Sequence, residues 1–272
     1  MLNERIVVVV ILLPTAFAIV AAGGWVFAAG VALILALAAA EFAALFRSQS
    51  QRPATFLMAV AVAGLVLGRQ ADGFGSGPAL LAVAALGLMA WHQFDYERGA
   101  PRSGTDFAVS LAGVVYLGWI GAYLVSLRSL PDGLWWLLTA LPSVWVGDSA
   151  AYFVGRAIGR HRLAPRLSPK KSWEGYLAGI VGAAAAGAGF AALWRVAAGP
   201  DASVTLERGL VLGTVLGVLT TLGDLGISMI KREVQVKDSG TLLPGHGGAL
   251  DRLDSWLWAG VLGYYLIQAI AR

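Results

Sequence analysis

Apolar residues dominate this chain in runs long enough to cross a bilayer as helices, and polar residues collect in the gaps between them. Crossing about 30 Å of hydrocarbon takes roughly 20 largely apolar residues in helical form. On that measure nine runs are expected, at about 6–22, 24–46, 54–68, 78–92, 108–127, 133–155, 174–196, 208–230 and 255–271. The third and fourth are the shortest, and the Gly-rich stretch from Asp72 to Pro78 separates them. The first run follows Arg5 and leads at once into the second, so it is counted as one arm of a helical hairpin and not as a cleaved signal peptide. The Ala and Gly richness of residues 178–192 predicts close packing of helices.

Composition narrows the class. The chain is 58% hydrophobic and 13% charged, and a soluble domain carries about a quarter charged residues. The expected fold is therefore all-α, a polytopic integral membrane protein of about nine transmembrane helices. With no cysteine there is no disulfide framework, thiolate metal site or cysteine nucleophile. Alternating spans put 15 of the 20 Lys and Arg on connections shared with the N-terminus, leaving Arg69, Arg128, Arg195, Arg208 and Arg272 on or near the other side. Positive charge stays on the cytoplasmic face, so the N-terminus is expected inside and the C-terminus outside. Residues 1–130 are read as N-terminal membrane helices and 131–272 as a C-terminal catalytic region with cytoplasmic loops 156–173 and 231–254.

Acids inside apolar runs are costly and mark function by default. Asp148 lies eight residues before Arg156, and Asp224 seven before Lys231. At helical rise each sits about 10 to 12 Å from the end of its span, on the same side of the membrane. Two such carboxylates form an oxygen donor set for Mg²⁺, although they could equally be two separately satisfied polar residues. The loop from Arg156 to Ser172 holds six basic residues in seventeen. Arg160, Arg162 and Arg166 suit anionic headgroups and topology control. Lys170 and Lys171 are expected at the start of a helix, where free amides also favour phosphate, with Glu174 partly offsetting them. In residues 231–254, Gly245, Gly247 and Gly248 permit close backbone approach. There Lys231, Arg232, Lys237 and Arg252 can neutralise phosphates, and Asp251 can hold a metal. This mixture suits phosphoryl-group chemistry, which rests on positioning and charge. His92 and His161 show no partner pattern and receive no role.

The stretch Ser228-Met-Ile-Lys231-Arg232, four residues, Lys237-Asp238, then Pro244-Gly-His246-Gly-Gly, two residues, Asp251-Arg252-Leu253-Asp254 resembles the signature of the phosphatidate cytidylyltransferase family. Gly147-Asp148-Ser-Ala-Ala-Tyr152 with Gly155-Arg156, and Ser168-Pro-Lys-Lys-Ser172-Trp-Glu174-Gly175, are similar to further family motifs. Ala249 and Ser172 depart from the larger aliphatic residue and the threonine usual at those places. Detailed resemblance covers about residues 142–260.

The resemblance implies that a phosphate oxygen of phosphatidic acid attacks the α-phosphorus of CTP, leaving CDP-diacylglycerol and pyrophosphate. It implies Mg²⁺, with two divalent sites and K⁺ an option at one of them. Asp224 and Asp251 would be metal ligands, with Asp148 as a further contributor. Catalytic work is expected of Asp148, Lys231, Arg232, Lys237, His246, Asp251 and Arg252, and substrate binding of Lys170, Lys171, Ser228, Gly247 and Gly248. The expected partners are CTP, phosphatidic acid, the lipid bilayer and a second copy in a homodimer, with no nucleic acid. Two other classes stay open from composition alone. A transporter would use membrane acids for protons or cations, and a polyprenyl-phosphate transferase would use carboxylates, Mg²⁺ and basic loops.

Overall fold

In hydrocarbon every backbone N–H and C=O must be paired within its own segment, and the apolar runs accordingly form helices. The computed structural model describes residues 14–240 and 247–271. In chain order these form α1 (14–22), α2 (Gly24–Arg47), α3 (Thr55–Asp72), α4 (Gly77–Glu97), α5 (Ser103–Gly113), a π-helix (Val114–Ile120), α6 (Tyr123–Arg128), α7 (Gly133–Ile158), β1 (Arg162–Ala164), β2 (Ser168–Ser172), α8 (Trp173–Ala198), α9 (Leu206–Leu219), α10 (Thr221–Glu233) and α11 (Leu250–Ile270).

Among the described residues, seven helical stretches are long and apolar enough to cross a membrane: α2, α3, α4, Ser103–Arg128, α7, α8 and Leu206–Glu233. The protein is thus multi-pass. Two of the nine expected runs fall outside this set. The start of the 6–22 run lies outside the described residues, and the 255–271 run belongs to α11, a helix in which Trp, Tyr, Gly and Gln dilute the apolar residues. Helices α3 and α4 extend past the expected 54–68 and 78–92, because their polar ends, Arg69 to Asp72 and Gln93 to Glu97, continue the helices. The run near 208–230 is two helices, α9 and α10, meeting at Thr220, whose hydroxyl turns back to the Leu216 carbonyl at 2.7 Å.

The chain divides into two compact units, 1–126 with 230–253 and 127–229 with 254–272. Helix α10 contributes residues to both.

In the first unit, α2 packs on α3, and α3 on α4 and the π-helix. A Cβ at Gly118 would come within 3.1 Å of the Val62 Cα, so glycine lets the π-helix approach α3 closely. Arg69 is only 6% exposed. It donates to the Ser126 hydroxyl at 2.8 Å, and its guanidinium lies 3.6 Å from the Phe74 ring centroid and 4.9 Å from that of Tyr123. An aromatic cage of this kind offsets part of the cost of burying a cation. His92, given no partner by sequence, is buried with Nε2 3.1 Å from the Ser110 hydroxyl, which also accepts from the Ala54 N–H at 3.0 Å.

In the second unit, α8 buries Gly175, Gly179, Ala183, Gly187 and Ala191, one small residue every fourth position. Opposite them on α7, a Cβ at Gly147 would lie 3.0 Å from both the Ala183 Cβ and the Gly179 carbonyl oxygen. Small residues at this spacing let helix backbones meet where there is no hydrophobic effect to press them together. Pro142 inside α7 has no N–H for the Leu138 carbonyl, and the Trp194 indole N–H of α8 donates to that carbonyl instead, at 3.1 Å.

The fold is all-α apart from one short hairpin, which corrects the helical start expected at Lys170 and Lys171. Residues 162–164 and 168–172 form a two-stranded antiparallel hairpin. Pro169 disfavours helical backbone at Ser168, and Ser172 is extended, at φ −126° and ψ 157°, as the N-cap of α8 requires. Lys170 and Lys171 therefore stand on a strand leading into α8 and not on the first turn of a helix.

Candidate functional site

The hairpin, α7 and α10 bring together a first cluster in the second unit. Asp224, on the first turn of α10, pairs its Oδ2 with the Lys171 Nζ of β2 at 2.7 Å. Its Oδ1 accepts from the Ser228 hydroxyl one turn on, at 3.2 Å. Asp148 on α7 lies within electrostatic reach of both Lys171 and Asp224. Asp224 keeps 37% of its side chain exposed and Lys171 27%, so the pair stays accessible. Two features hold this geometry. A Cβ at Gly223 would lie 2.6 Å from the Trp258 Cδ1, so glycine lets α10 rest against α11 just before Asp224. At the hairpin base, the Ser172 hydroxyl caps α8 through the Gly175 N–H at 3.2 Å, and the Trp173 N–H donates to the His161 carbonyl at 2.9 Å.

His161, to which sequence assigned nothing, pairs its Nδ1 with Glu174 Oε1 at 2.7 Å. Glu174 also accepts from the His161 backbone N–H at 3.3 Å. Its charge is thus used to hold the hairpin onto α8. Arg160, Arg162, Arg166 and Lys170 are exposed around it.

A second cluster lies in the first unit. Asp251, on the first turn of α11, receives the Lys231 Nζ on Oδ1 at 2.6 Å. Its Oδ2 accepts from the Ser239 N–H at 2.8 Å, the Ser239 hydroxyl at 3.0 Å and the Gly248 N–H at 3.2 Å. Asp251 is 10% exposed and Lys231 14%. Asp251 precedes the expected 255–271 span. Burial pushes its carboxyl up, but the Lys231 hydrogen bond and charge, with the Ser239 and Gly248 amides, pull it further down, leaving it below the usual carboxylate range. Gly247 has φ +86°, a left-handed conformation that suits glycine. A Cβ at Gly248 would lie 2.8 Å from the Gly240 N, so the backbone passes there only without a side chain.

The predicted residues therefore fall into two sets. Asp148, Lys171, Asp224 and Ser228 gather in one unit, and Lys231, Gly248 and Asp251 in the other. Arg232, Lys237 and Arg252 are exposed, and Gly247 borders the second cluster. His246, with Pro244 and Gly245, lies outside the described residues. Sequence reasoning missed Glu41 of α2, whose Oε2 accepts from the Leu250 N–H at 3.0 Å and the Ser239 hydroxyl at 3.3 Å. The signal was present, because Glu41 is an acid inside an apolar run, which is the rule that selected Asp148 and Asp224.

Both clusters offer carboxylate and hydroxyl oxygen, the donor chemistry of Mg²⁺. In each an ammonium group already sits on the carboxylate where a metal cation would bind. Among the described residues no three His, Asp or Glu side chains gather as a metal-binding group. Mg²⁺ commonly takes one or two carboxylates from a protein and completes its shell with phosphate and water.

A model of the cytidylyltransferase family matches residues 3–270. A phosphatidate cytidylyltransferase from Synechocystis is 32% identical over 294 residues, covering 97% of this chain and 96% of that protein. One from Brucella suis is 38% identical over 189 residues, 69% of this chain and 64% of its own length. One from Bacillus subtilis is 40% identical over 160 residues, 58% of this chain and 57% of its own.

Proposed function

The chain belongs to the cytidylyltransferase family, and on that premise we propose that it transfers CMP from CTP to phosphatidate, giving CDP-diacylglycerol and pyrophosphate. The observation that carries this reading is the similarity to a phosphatidate cytidylyltransferase along 97% of the chain. The two lysine–aspartate clusters supply the charges such a reaction needs.

In the reaction a phosphatidate oxygen forms a bond to the α-phosphorus of CTP. The bond from that phosphorus to the β-bridging oxygen breaks, and pyrophosphate leaves with the electron pair. The phosphatidate phosphate is already ionised near pH 7, so no strong general base is required. Asp224 and Asp251 would hold Mg²⁺ at two sites, with K⁺ an option at one of them and Asp148 contributing beside Asp224. Bound there, the cations supply charge neutralisation for the triphosphate and the departing pyrophosphate. Lys171 and Lys231 move between aspartate and phosphate, so that each acid is neutralised before substrate arrives. Lys170, Arg232, Lys237 and Arg252 share the two anionic substrates, His246 binds phosphate, and Ser228 orients Asp224. Gly247 and Gly248 keep the backbone beside Asp251 open to a ligand.

The same reading counts nine spans and places the protein as a homodimer in a bacterial-type inner membrane. The N-terminus and the reacting groups face the cytoplasm, where CTP is found. The side bias of Lys and Arg supports this orientation. A headgroup entering between helices while its acyl chains stay in lipid suits a multi-pass protein.

The test uses purified protein with Mg²⁺, phosphatidate and CTP labelled at the α- or the γ-phosphate. The α-label is expected in the lipid extract and the γ-label in pyrophosphate, with UTP a poor donor. A folded preparation that moves no α-label into lipid overturns the reading in favour of a transporter.

A further inference from the structure

Glu41 has no part in the chemistry above, yet it is tied to the residues that hold Asp251. It interrupts the run Ala38-Ala-Ala-Glu41-Phe-Ala-Ala44, where a carboxylate is costly unless it is used. Its Oε2 takes the Leu250 N–H at 3.0 Å, one residue before Asp251. Its Oε1 is buried and accepts no hydrogen bond among the described residues. The Ser239 hydroxyl has a single proton and two carboxylate neighbours, Asp251 Oδ2 at 3.0 Å and Glu41 Oε2 at 3.3 Å. A Cβ at Gly240 would lie 2.6 Å from Glu41 Oε1, so the backbone at Gly240 passes directly against this acid.

We propose that Glu41 is a positioning residue for the CMP transfer: it clamps the Ser239 turn and the start of α11, and so sets the direction in which Asp251 presents its carboxylate. Asp251 Oδ2 is saturated by three donors in this structure. Were that oxygen to turn to a cation, Glu41 would accept the Ser239 hydroxyl that Asp251 releases, and the hydroxyl would keep an acceptor. The inference rests on Asp251 acting as proposed above. Outer groups that orient a metal-binding side chain are commonly worth about 10- to 100-fold in metal affinity or activity.

The test uses the full chain in detergent micelles, with Mn²⁺ as the probe ion followed by electron paramagnetic resonance, alongside kcat, KM for CTP and thermal unfolding. Glu41→Ala is expected to weaken Mn²⁺ binding and lower kcat, each by about tenfold or more. Glu41→Gln keeps an oxygen acceptor for Leu250 and is expected to stay within about threefold of the parent. Ser239→Ala, which removes only the shared hydroxyl, should weaken Mn²⁺ binding by about threefold. A Glu41→Ala protein that unfolds at lower temperature with Mn²⁺ affinity and kcat unchanged makes Glu41 a packing residue and overturns the proposal. Equal losses in the Gln and Ala variants also overturn it, since charge and not positioning would then matter. If Glu41→Ala does not fold, unchanged Mn²⁺ affinity in Ser239→Ala overturns it instead. Parent-like Mn²⁺ binding by Asp251→Asn would remove Asp251 from the metal role, a failure of the underlying reading that the Glu41 variants do not produce.

Discussion

Asp224 and Asp251 each hold a lysine at hydrogen-bond distance, 2.7 and 2.6 Å, but their settings differ. Asp224 stands in an apolar run, is 37% exposed and takes its other hydrogen bond from a serine one helical turn away. Asp251 is 10% exposed and takes three further donors from the loop before it. The first acid is positioned by regular structure, and its partners are the side chains of one lysine and one serine. The second is the organising centre of an irregular segment, and the segment's backbone amides depend on it. One chain thus holds two lysine-paired acids in settings that differ in how much of the backbone leans on them.

The sharpest way to break this contrast is to neutralise each acid. Asp224→Asn and Asp251→Asn are both expected to lower kcat by about 100-fold or more, the scale on which a lost electrostatic stabiliser acts. Their stabilities should diverge. Asp251→Asn leaves Lys231 buried without its charged partner and is expected to cost about 1–3 kcal/mol, whereas the loss at the more exposed Asp224 should stay below about 1 kcal/mol. Thermal unfolding in detergent checks this, and equal losses would erase the distinction. Removing divalent cations with EDTA tests what the two settings share. Activity is expected to vanish and to return with Mg²⁺, while helical circular dichroism stays unchanged, because Lys171 and Lys231 already neutralise both acids. The smallest effect is expected at the hairpin that carries Lys171. Ser172→Ala removes the α8 cap and should cost about 1 kcal/mol, with a rise in KM for CTP larger than any change in kcat.

Most of the fold was legible because lipid leaves the backbone few options. Runs of the right length become helices, and the expected 24–46, 133–155 and 174–196 correspond to Gly24–Arg47, Gly133–Ile158 and Trp173–Ala198. The hairpin was not legible, since a loop of six basic residues carries no apolar alternation, and only Pro169 and the cap at Ser172 hinted at extended backbone. Of the candidate site, Asp148, Asp224 and the lysines stood out as charges at or in apolar runs. Glu41 satisfied the same rule and was passed over, because no family motif adjoined it in sequence.

Taken by itself, the order of residues determined the helices, the family and the acids on which chemistry can rest, because periodicity, span length and buried charge are local properties of a chain. Tertiary structure decided which oxygen meets which donor. Glu41 reaches Leu250 across 209 positions of sequence, and Lys171 on its strand finds Asp224 on a distant helix. Such pairings follow from how separate segments pack, and no short-range pattern encodes them.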